Sequence, residues 1–329
     1  MFQTKRRIRI TAFSVLLLSS LVIGGGIIQY QQTQDSAISA LREQSDQSIQ
    51  DRPEVAPDRQ GTTVITTQWF QAGSTGTIVA IGPKGRLTYF NDSRSTYFDV
   101  DPIEGTDSTV EVVAADHLTG EECQATTLCA HVVVEQHNIS TGETEVVTDW
   151  IVGHGYRSNR PHDVDRIGEH RLAIADTGQN RVRVHNTATG VDEYTWNLQN
   201  KYQVGTGGEF PDDWGHINDV ERISGGRWII SPRNMDQVLF LNESGLIDSW
   251  TLGTVNNHSI IYEQHNPDYI PADRGGPAVL IADSQNNRIV EYQRVDGSWE
   301  RSWTWTDEQT SWPRDADRLP NGNTLITDT

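Results

Sequence analysis

Residues 98–329 consist of units that resemble one another, and this repetition limits the possible folds more than any other feature of the sequence. Each unit has an Asp-containing start, a strand-like segment, an Asn-rich turn, a second strand-like segment and a terminal Trp. The units cover residues 98–150, 162–196, 218–250, 266–305 and a last one from 314. Three to four antiparallel strands repeated in this way are typical of β-propeller blades. A β-sandwich, the alternative, does not require self-similar strands.

The predicted propeller begins near residue 61. From there the sequence has short runs of Val, Ile, Thr, Tyr and Trp separated by Gly, Asn and Asp, which is the pattern of short strands joined by turns. We therefore predict an all-β protein with a propeller over residues 61–329, whose last blade is incomplete in this chain. Trp150, Trp196, Trp250 and Trp303 recur at blade ends, so we expect them to pack between blades.

The N-terminal residues predict a membrane anchor. A basic segment at residues 1–9 precedes an uncharged run over 10–28, and about 20 apolar residues span a bilayer as a helix. Because basic flanks stay in the cytoplasm, we expect a cytoplasmic tail, a transmembrane signal anchor over 10–28 and an extracellular propeller at the cell membrane. A cleaved signal peptide is the alternative, although no clear cleavage site follows residues 24–26. Residues 29–60, rich in Gln, Ser, Asp and Arg, are interpreted as a polar stalk or linker, helical in part.

Carboxylates outnumber basic side chains in this sequence. Asp and Glu total 45 against 26 Lys and Arg, and the formal net charge is −19. This charge argues against a nucleic-acid partner, because the chain has no basic surface to meet phosphates. Almost all of the basic residues are Arg. An acidic, lysine-poor composition indicates a protein kept soluble in high salt, and an ordinary acidic secreted protein is the alternative.

Cys123 and Cys129 are the only cysteines and are separated by five residues. In an extracellular protein a pair this close is expected to form a disulfide across one hairpin. A metal site is the alternative, but the spacing of His117 and His131 around the pair matches no standard zinc pattern. Sequons for N-glycosylation also agree with an exported domain. They start at Asn91, Asn138, Asn242 and Asn257.

Histidines recur at the starts of successive repeat units. The innermost strands of a propeller line a central channel, and the loops that start the blades converge at one mouth of it. Three units place His162, His216 and His265 at or just before the same position, and the next unit places Arg314 there. Imidazole acts as a nucleophile or as a general acid and base, and guanidinium binds phosphate- or sulfate-like oxygens. This set therefore predicts a site for an anionic ligand.

A metal site is the rival interpretation of these histidines, because three imidazoles can hold zinc, copper or iron. The neighbouring Asn and Arg are poor ligands, and no His-x-His or His-x-x-x-His pair occurs at the blade starts. We therefore expect no metal and no cofactor. A ring of acidic residues at the blade starts leaves a lesser alternative, a metal-dependent propeller hydrolase. These residues are Asp99, Asp163, Asp219 and Asp315.

The most specific signature lies in the segments WGHINDV with SPRN downstream, YEQHNPDYI and WPRDADRLPNGNTLITDT. Together with the stacked units, they resemble the arylsulfotransferase family in its membrane-anchored form from halophilic archaea. The resemblance covers approximately residues 61–329 and is strongest in the last three units. It implies a six-bladed propeller and PAPS-independent transfer of a sulfuryl group from a phenolic sulfate ester to another phenol through a sulfohistidine.

The resemblance also assigns candidate roles to individual residues. His216 and Asn218 match the family's His-x-Asn sulfate-binding pair, and Arg233 matches its charge-stabilising Arg. His265 is the candidate nucleophile, with His216 as the second choice. His162 is a candidate sulfate-binding or acid/base residue, and Arg314 joins the candidate substrate-binding residues.

The nucleophile must be a neutral imidazole, and we expect a neighbouring carboxylate, Asp219 or Asp268, to orient it through its second nitrogen.

The alternative function is a non-catalytic cell-surface propeller that binds a ligand or a protein. An enzyme is expected to gather these residues at one channel mouth. A scaffold is expected to scatter them and to expose a large apolar patch instead.

Overall fold

The computed structural model describes residues 36–68, 75–123, 128–153, 160–211 and 213–328. The predicted tail and transmembrane anchor lie outside these residues. Among the residues that are described, no helix is long and apolar enough to cross a membrane. The chain divides into two compact units, and each is described by itself below.

The described part of the first unit contains a three-stranded sheet and one helix. It comprises Met1–Ile65 and Thr77–Asn91. The sheet consists of β1 (Thr63–Thr66), β2 (Ile78–Ile81) and β3 (Leu87–Asn91). Residues 36–45 form the helix, and Leu41 packs against the buried side chains of Val79 and Leu87.

Arg52 joins the end of this helix to the sheet. Its guanidinium is buried and donates to the carbonyls of Ser45 and Gln47 at 2.7 and 2.9 Å, and to the carbonyl of Leu87 at 2.7 Å. A cation at a helix C-terminus satisfies carbonyls that have no partner within the helix. Part of the segment interpreted as a linker therefore packs in a unit with a β-sheet.

The second unit, Thr66–Gly76 with Asp92–Thr329, contains five successive antiparallel sheets within the described chain. Blade 1 has β4 (Thr96–Pro102), β5 (Thr109–Thr119), β6 (Leu128–Asn138) and β7 (Thr144–Gly153). Blade 2 has β8 (Asp163–Arg166), β9 (Arg171–Asp176), β10 (Arg181–Asn186) and β11 (Val191–Asn197). Blade 3 has β12 (Ile217–Ile223), β13 (Arg227–Pro232), β14 (Gln237–Asn242), β15 (Gly245–Leu246) and β16 (Leu252–Gly253). Blade 4 has β17 (His265–Ile270), β18 (Ala278–Asp283), β19 (Arg288–Val295) and β20 (Ser298–Trp305), and blade 5 has β21 (Asp315–Arg318) and β22 (Thr324–Thr327).

Short 3₁₀ helices connect many of these strands. They are Gly120–Cys123, Thr177–Gln179, Leu198–Asn200, Arg233–Met235, Asp248–Trp250, Ala272–Arg274 and Ser284–Asn286. In every blade the first strand lies at one edge of its sheet, and the first strands of successive blades are neighbours. This arrangement is an all-β β-propeller, and the predicted fold class is confirmed.

The number of blades differs from the prediction. The resemblance implied six blades, whereas the described chain forms five, the last with two strands. The propeller predicted from residue 61 onward included β1, β2 and β3, but these strands form a sheet of their own in the first unit. Hydrophobic strand patterns do not reveal which sheet a strand joins, so the number of blades was overestimated from the sequence.

Repeated Asp, Asn and Arg residues build the turn between the second and third strands of a blade. In blade 2, Asp176 accepts a hydrogen bond of 2.8 Å from Nε of Arg181, and Asn180 has a positive φ of 52°. Asn adopts this left-handed conformation more readily than other side chains do. Blade 4 repeats the pair with Asp283 and Arg288 at 2.6 Å. The Asn-rich turn expected in each unit is thus confirmed in blades 2 and 4.

The hydrophobic core lies between consecutive blades. One cluster joins Val132 of blade 1 to Ile174 of blade 2, and similar clusters join each later pair of blades. The terminal tryptophans belong to these contacts. The guanidinium of Arg183 in blade 2 lies 4.7 Å from the ring centroid of Trp150 in blade 1, and Trp196 is buried. The predicted packing role of these tryptophans is confirmed.

Carboxylates on the inner strands also connect the blades. Asp165 accepts a hydrogen bond from the backbone N–H of Arg222 in the next blade. Glu221 accepts one from Tyr269 N at 3.0 Å, and Asp268 accepts one from Arg318 N at 2.9 Å. An inner strand is an edge strand, and its free N–H groups need partners when they are buried. These carboxylates supply the partners at three successive blade junctions.

Cys123 and Cys129 form a disulfide with a Cα–Cα distance of 5.5 Å, as predicted. The bond joins the 3₁₀ helix Gly120–Cys123 to β6, and it lies at the end of the β5–β6 hairpin. The disulfide therefore closes the tip of the longest hairpin in the described chain.

We predict that Phe240→Ala destabilises the propeller by about 3–5 kcal/mol, because it leaves a cavity between blades 3 and 4. Phe240 is fully buried, and its ring lies 5.6 Å from Trp299 and 5.2 Å from Trp250. Guanidinium unfolding of both proteins measures the change. Val191→Ala removes methyl groups at a site that is 57% exposed, and it should shift stability by no more than about 0.5 kcal/mol. Equal effects of the two substitutions would contradict the packing of Phe240.

Candidate functional site

The inner strands align five side chains in one layer. Each directly precedes the first acidic residue of its inner strand or, in blade 4, the amide residue Asn266. They are Phe98, His162, Asn218, His265 and Arg314. The rings of Phe98 and His162 have centroids 4.9 Å apart, and Arg314 Nη1 lies 2.6 Å from Nε2 of His265. The register of the blades thus brings four of the six predicted site residues into one layer.

His265 is held in a defined tautomer. Its Nδ1 lies 2.8 Å from Oγ of Ser284, and that hydroxyl donates to the carbonyl of Pro313 at 2.6 Å. Because the hydroxyl proton is used on the carbonyl, Oγ must accept from Nδ1–H. Nε2 then carries the lone pair, which accepts the hydrogen bond from Arg314. Burial, and next the charge of Arg314, holds the pKa of His265 well below its usual range.

His162 is anchored in the same way one blade earlier. Its Nδ1 lies 3.0 Å from Oγ1 of Thr177 and 3.0 Å from the carbonyl of Arg160. The hydroxyl of Thr177 donates to the carbonyl of Ile217, so Nδ1 carries the proton here too. Burial, followed by the charge of His216, holds the pKa of His162 well below its usual range. Two neutral imidazoles therefore present Nε2 to the same region.

His216 lies two residues before Asn218 and has a positive φ of 48°. Its ring centroid is 4.8 Å from that of His162. Nδ1 of His216 is hydrogen-bonded to one carboxylate oxygen of Asp213, and Arg233 Nη2 donates to the other oxygen at 3.4 Å. Burial lowers the pKa of His216, although Asp213 opposes that shift. Asp213 thus positions both a histidine and an arginine.

Two arginines give the site its positive charge. Arg233 starts the 3₁₀ helix Arg233–Met235, at the position that Thr177 and Ser284 occupy in their blades. Burial lowers the pKa of Arg233, and burial together with the charge of Arg233 lowers the pKa of Arg314 to about 10. Both remain cations at neutral pH. The charges of both act on His265, so the two guanidinium groups and the imidazole share one site.

Asn218 completes the layer between His162 and His265. It is buried, and its Nδ2 donates to the carbonyl of Gln264 at 3.0 Å. Its Oδ1 is buried without a hydrogen-bond partner among the residues that the structure describes. A buried amide oxygen without a partner is costly, and a ligand hydroxyl would satisfy it.

Several residues of this site were not identified from the sequence. Arg160 is fully buried, lies 2.8 Å from Nε2 of His117 and has its guanidinium 4.9 Å from the ring centroid of Phe98. The orienting groups were also assigned incorrectly: a hydroxyl of Ser284, not Asp219 or Asp268, holds His265. Aligning the repeat units would have found Thr177 and Ser284, because both follow the Asp that ends the second strand.

All six predicted site residues thus lie within one cluster. Its buried guanidinium groups offer N–H donors and positive charge, which suit an anion. Its neutral imidazoles offer lone pairs, which suit a nucleophile. The cluster is positive although the whole chain carries a formal charge of −19.

No family model matches the sequence, and no curated protein matches it. Among solved structures, the chain is similar to the periplasmic gluconolactonase PpgL of Pseudomonas aeruginosa, with 13% identity and a TM-score of 0.51 over 83% of this chain and 76% of that one. It is also similar to BamB of Moraxella catarrhalis, with 10% identity and a TM-score of 0.42 over 83% of this chain and 90% of that one. At such identities the likeness to the gluconolactonase shows the propeller fold alone.

We predict that His265 stays neutral, in the Nδ1–H tautomer, at about pH 6, because burial and Arg314 disfavour a second proton. The ¹⁵N chemical shifts of its ring nitrogens, identified by their loss in His265→Gln, report this directly. Since the pKa is lower in the folded state, the neutral imidazole contributes stability above the unfolded pKa of about 6.5, and this contribution is lost as the pH falls below it.

Ser284→Ala is the companion variant for this measurement. It removes the only side chain that accepts from Nδ1 of His265 in the described chain, so the preference for the Nδ1–H tautomer should disappear. A doubly protonated His265 in the unsubstituted protein at about pH 6 would contradict the assignment.

Proposed function

We propose that the protein is a sulfuryl transferase of the arylsulfotransferase type, which moves a sulfuryl group from a phenolic sulfate ester to another phenol through His265. The single observation that carries this proposal is the arrangement around His265. Its Nδ1 proton is tied to Ser284, and its Nε2 lone pair faces the cation of Arg314 at 2.6 Å. This is a neutral nucleophile placed beside a group that binds sulfate oxygens.

In the first half-reaction Nε2 of His265 attacks sulfur, and an N–S bond forms while the bond from sulfur to the phenolic oxygen breaks. Arg314 and Arg233 donate to the equatorial sulfate oxygens, where negative charge develops. The leaving phenolate takes a proton from the doubly protonated form of His216, which the carboxylate of Asp213 stabilises through Nδ1. The second phenol then attacks sulfur, restores the lone pair of His265 and returns the proton to the imidazole.

Asn218 has a specific place in this scheme. Its amide N–H donates to Gln264, so its unpartnered Oδ1 is left as an acceptor. An acceptor does not bind sulfate oxygens, but it does bind the O–H of a phenol. Asn218 therefore orients the phenol, and the sulfate oxygens fall to the arginines.

The competing function is a non-catalytic propeller that binds an anionic ligand at the same cluster. It uses the same arginines, but it needs no nucleophile with a fixed tautomer. Anchoring of both His162 and His265 through hydroxyl groups favours the enzyme, because a receptor for anions gains more from protonated imidazoles than from neutral ones.

We predict that brief exposure of the full chain to 4-nitrophenyl sulfate, in high salt and above neutral pH, adds one sulfuryl group. Intact-mass spectrometry measures the adduct, and peptide mapping locates it. His265→Ala should abolish the adduct because the nucleophile is gone. His170→Ala, which removes an exposed histidine, should leave it unchanged.

Each outcome of this experiment decides between the functions. An adduct that survives in His265→Ala moves the nucleophile to His216 or His162. Binding of 4-nitrophenyl sulfate to folded protein without adduct or nitrophenol release supports the non-catalytic propeller and overturns the proposal.

We predict that Arg233→Ala lowers the rate of 4-nitrophenol release by about 10²- to 10³-fold, because one donor to the developing charge is lost. Arg233 also shares Asp213 with His216, so circular dichroism must show that the variant is folded. Arg171→Ala is the matched control, since Arg171 is exposed and forms only a long ion pair, 3.9 Å, with the carboxylate of Glu193. A change of less than about threefold in Arg233→Ala would remove this residue from the mechanism.

A further inference from the structure

The inner strands carry carboxylates in a regular pattern that the proposed sulfuryl chemistry does not use. Each inner strand has an acidic or amide residue, then an apolar or Pro residue, then an acidic residue. The pairs are Asp99 with Asp101, Asp163 with Asp165, Asp219 with Glu221, Asn266 with Asp268, and Asp315 with Asp317. Stacked on one another, they line the channel below the histidine layer with negative charge.

Some of these carboxylates have a structural task. Asp165, Glu221 and Asp268 accept backbone N–H groups from the neighbouring inner strand. Asp163 does the same for the N–H of Val220 with one of its oxygens. These hydrogen bonds account for part of the acidic lining but not for Asp99, Asp101, Asp219, Asp315 or Asp317.

Three carboxylates of the first two blades have oxygens close together. Asp99, Asp101 and Asp163 each offer an oxygen, and these three atoms all lie within 4.8 Å of one another. Asp219 lies beside this group, because the N–H of the next residue, Val220, donates to Asp163, and the charge of Asp219 acts on Asp163. The residue is 8% exposed, and its buried Oδ2 has no hydrogen-bond partner within the described chain. Oδ2 of Asp99 is also buried without a hydrogen-bond partner within the described chain.

Buried carboxylates at such distances repel one another unless something neutralises them. The charges that act most on Asp219 are those of other carboxyls, and burial and this repulsion raise its pKa well above the usual range. A cation at the point of convergence relieves the repulsion and satisfies the unpartnered oxygens together.

We propose that the channel binds a divalent cation of the calcium class between Asp99, Asp101, Asp163 and Asp219. The donors are all oxygens, which excludes the soft metals that prefer sulfur or imidazole. Calcium accepts flexible, carboxylate-rich coordination, whereas magnesium demands near-ideal octahedral geometry. The site lies on β4, β8 and β12, so the ion ties the first three blades together at the channel. The carboxylates form a site separate from the histidines, and this site does not depend on the sulfuryl chemistry.

The test uses the full chain after removal of divalent ions with a chelator. Calorimetric titration with CaCl₂ measures affinity, and thermal unfolding with and without CaCl₂ measures stabilisation, with NaCl added to equal ionic strength as the screening control. We expect one bound ion with a dissociation constant in the range of about 10⁻⁷ to 10⁻⁴ M and a rise in melting temperature that NaCl does not reproduce.

Asp219→Asn keeps the shape of the side chain and removes one ligand charge. It should weaken calcium binding by about tenfold or more, while the calcium-free protein melts at the same temperature or higher, because a buried unpaired charge is gone. Asp99→Asn serves as the second variant if Asp219→Asn does not fold. Asp248→Asn removes a charge from an exposed carboxylate paired with Lys201 and should bind calcium as the unsubstituted protein does.

Three results would overturn the proposal. One is no calcium heat and no stabilisation beyond that of NaCl. Another is unchanged affinity in both Asp219→Asn and Asp99→Asn. The third is an equal loss in Asp248→Asn, which would show binding to the acidic surface in general.

Discussion

The structure depends on how buried inner edge strands satisfy their backbone N–H groups. A propeller blade presents the edge of its first strand to the channel and to the next blade, where hydrogen bonds between blades cannot form a continuous ladder. In this protein carboxylates complete the bonding: Asp165, Glu221 and Asp268 each accept an N–H from the following blade. A hydrogen bond within a folded protein contributes about 0.5–1.5 kcal/mol, so these contacts together fix the blades relative to one another.

The carboxylates that bind these N–H groups also determine the charge distribution along the channel. Carboxylates that hold the inner strands also line the interior with negative charge, while the residue before each acidic pair forms a layer that contains Arg314 and, close by, Arg233. One end of the inner strands is thus suited to anions and the segment below it to a cation. Two neighbouring regions of opposite sign follow from a single repeated pattern on the inner strand.

Much of the fold was predictable from the sequence. The repeated Asp, Asn and Arg residues indicated the turns, and the recurrent Trp residues indicated packing between blades, because both have local physical causes. The blade count was wrong, since β2 and β3 have the same apolar pattern as blade strands but pair in another sheet. Part of the site was predictable as well: the three histidines, Asn218, Arg233 and Arg314 do gather in one cluster.

The sequence by itself determined the units, the order of their strands and the residue types at each blade start, because hydrophobic periodicity and turn chemistry act over a few residues. Only the tertiary structure decided which groups hold those residues. Ser284 rather than a carboxylate orients His265, and Asp213 positions both His216 and Arg233. Such partners come from a turn or from another blade, and their distances depend on how the blades pack. The convergence of Asp99, Asp101 and Asp163 is likewise a property of the packing of inner strands, where residues far apart in the chain become neighbours.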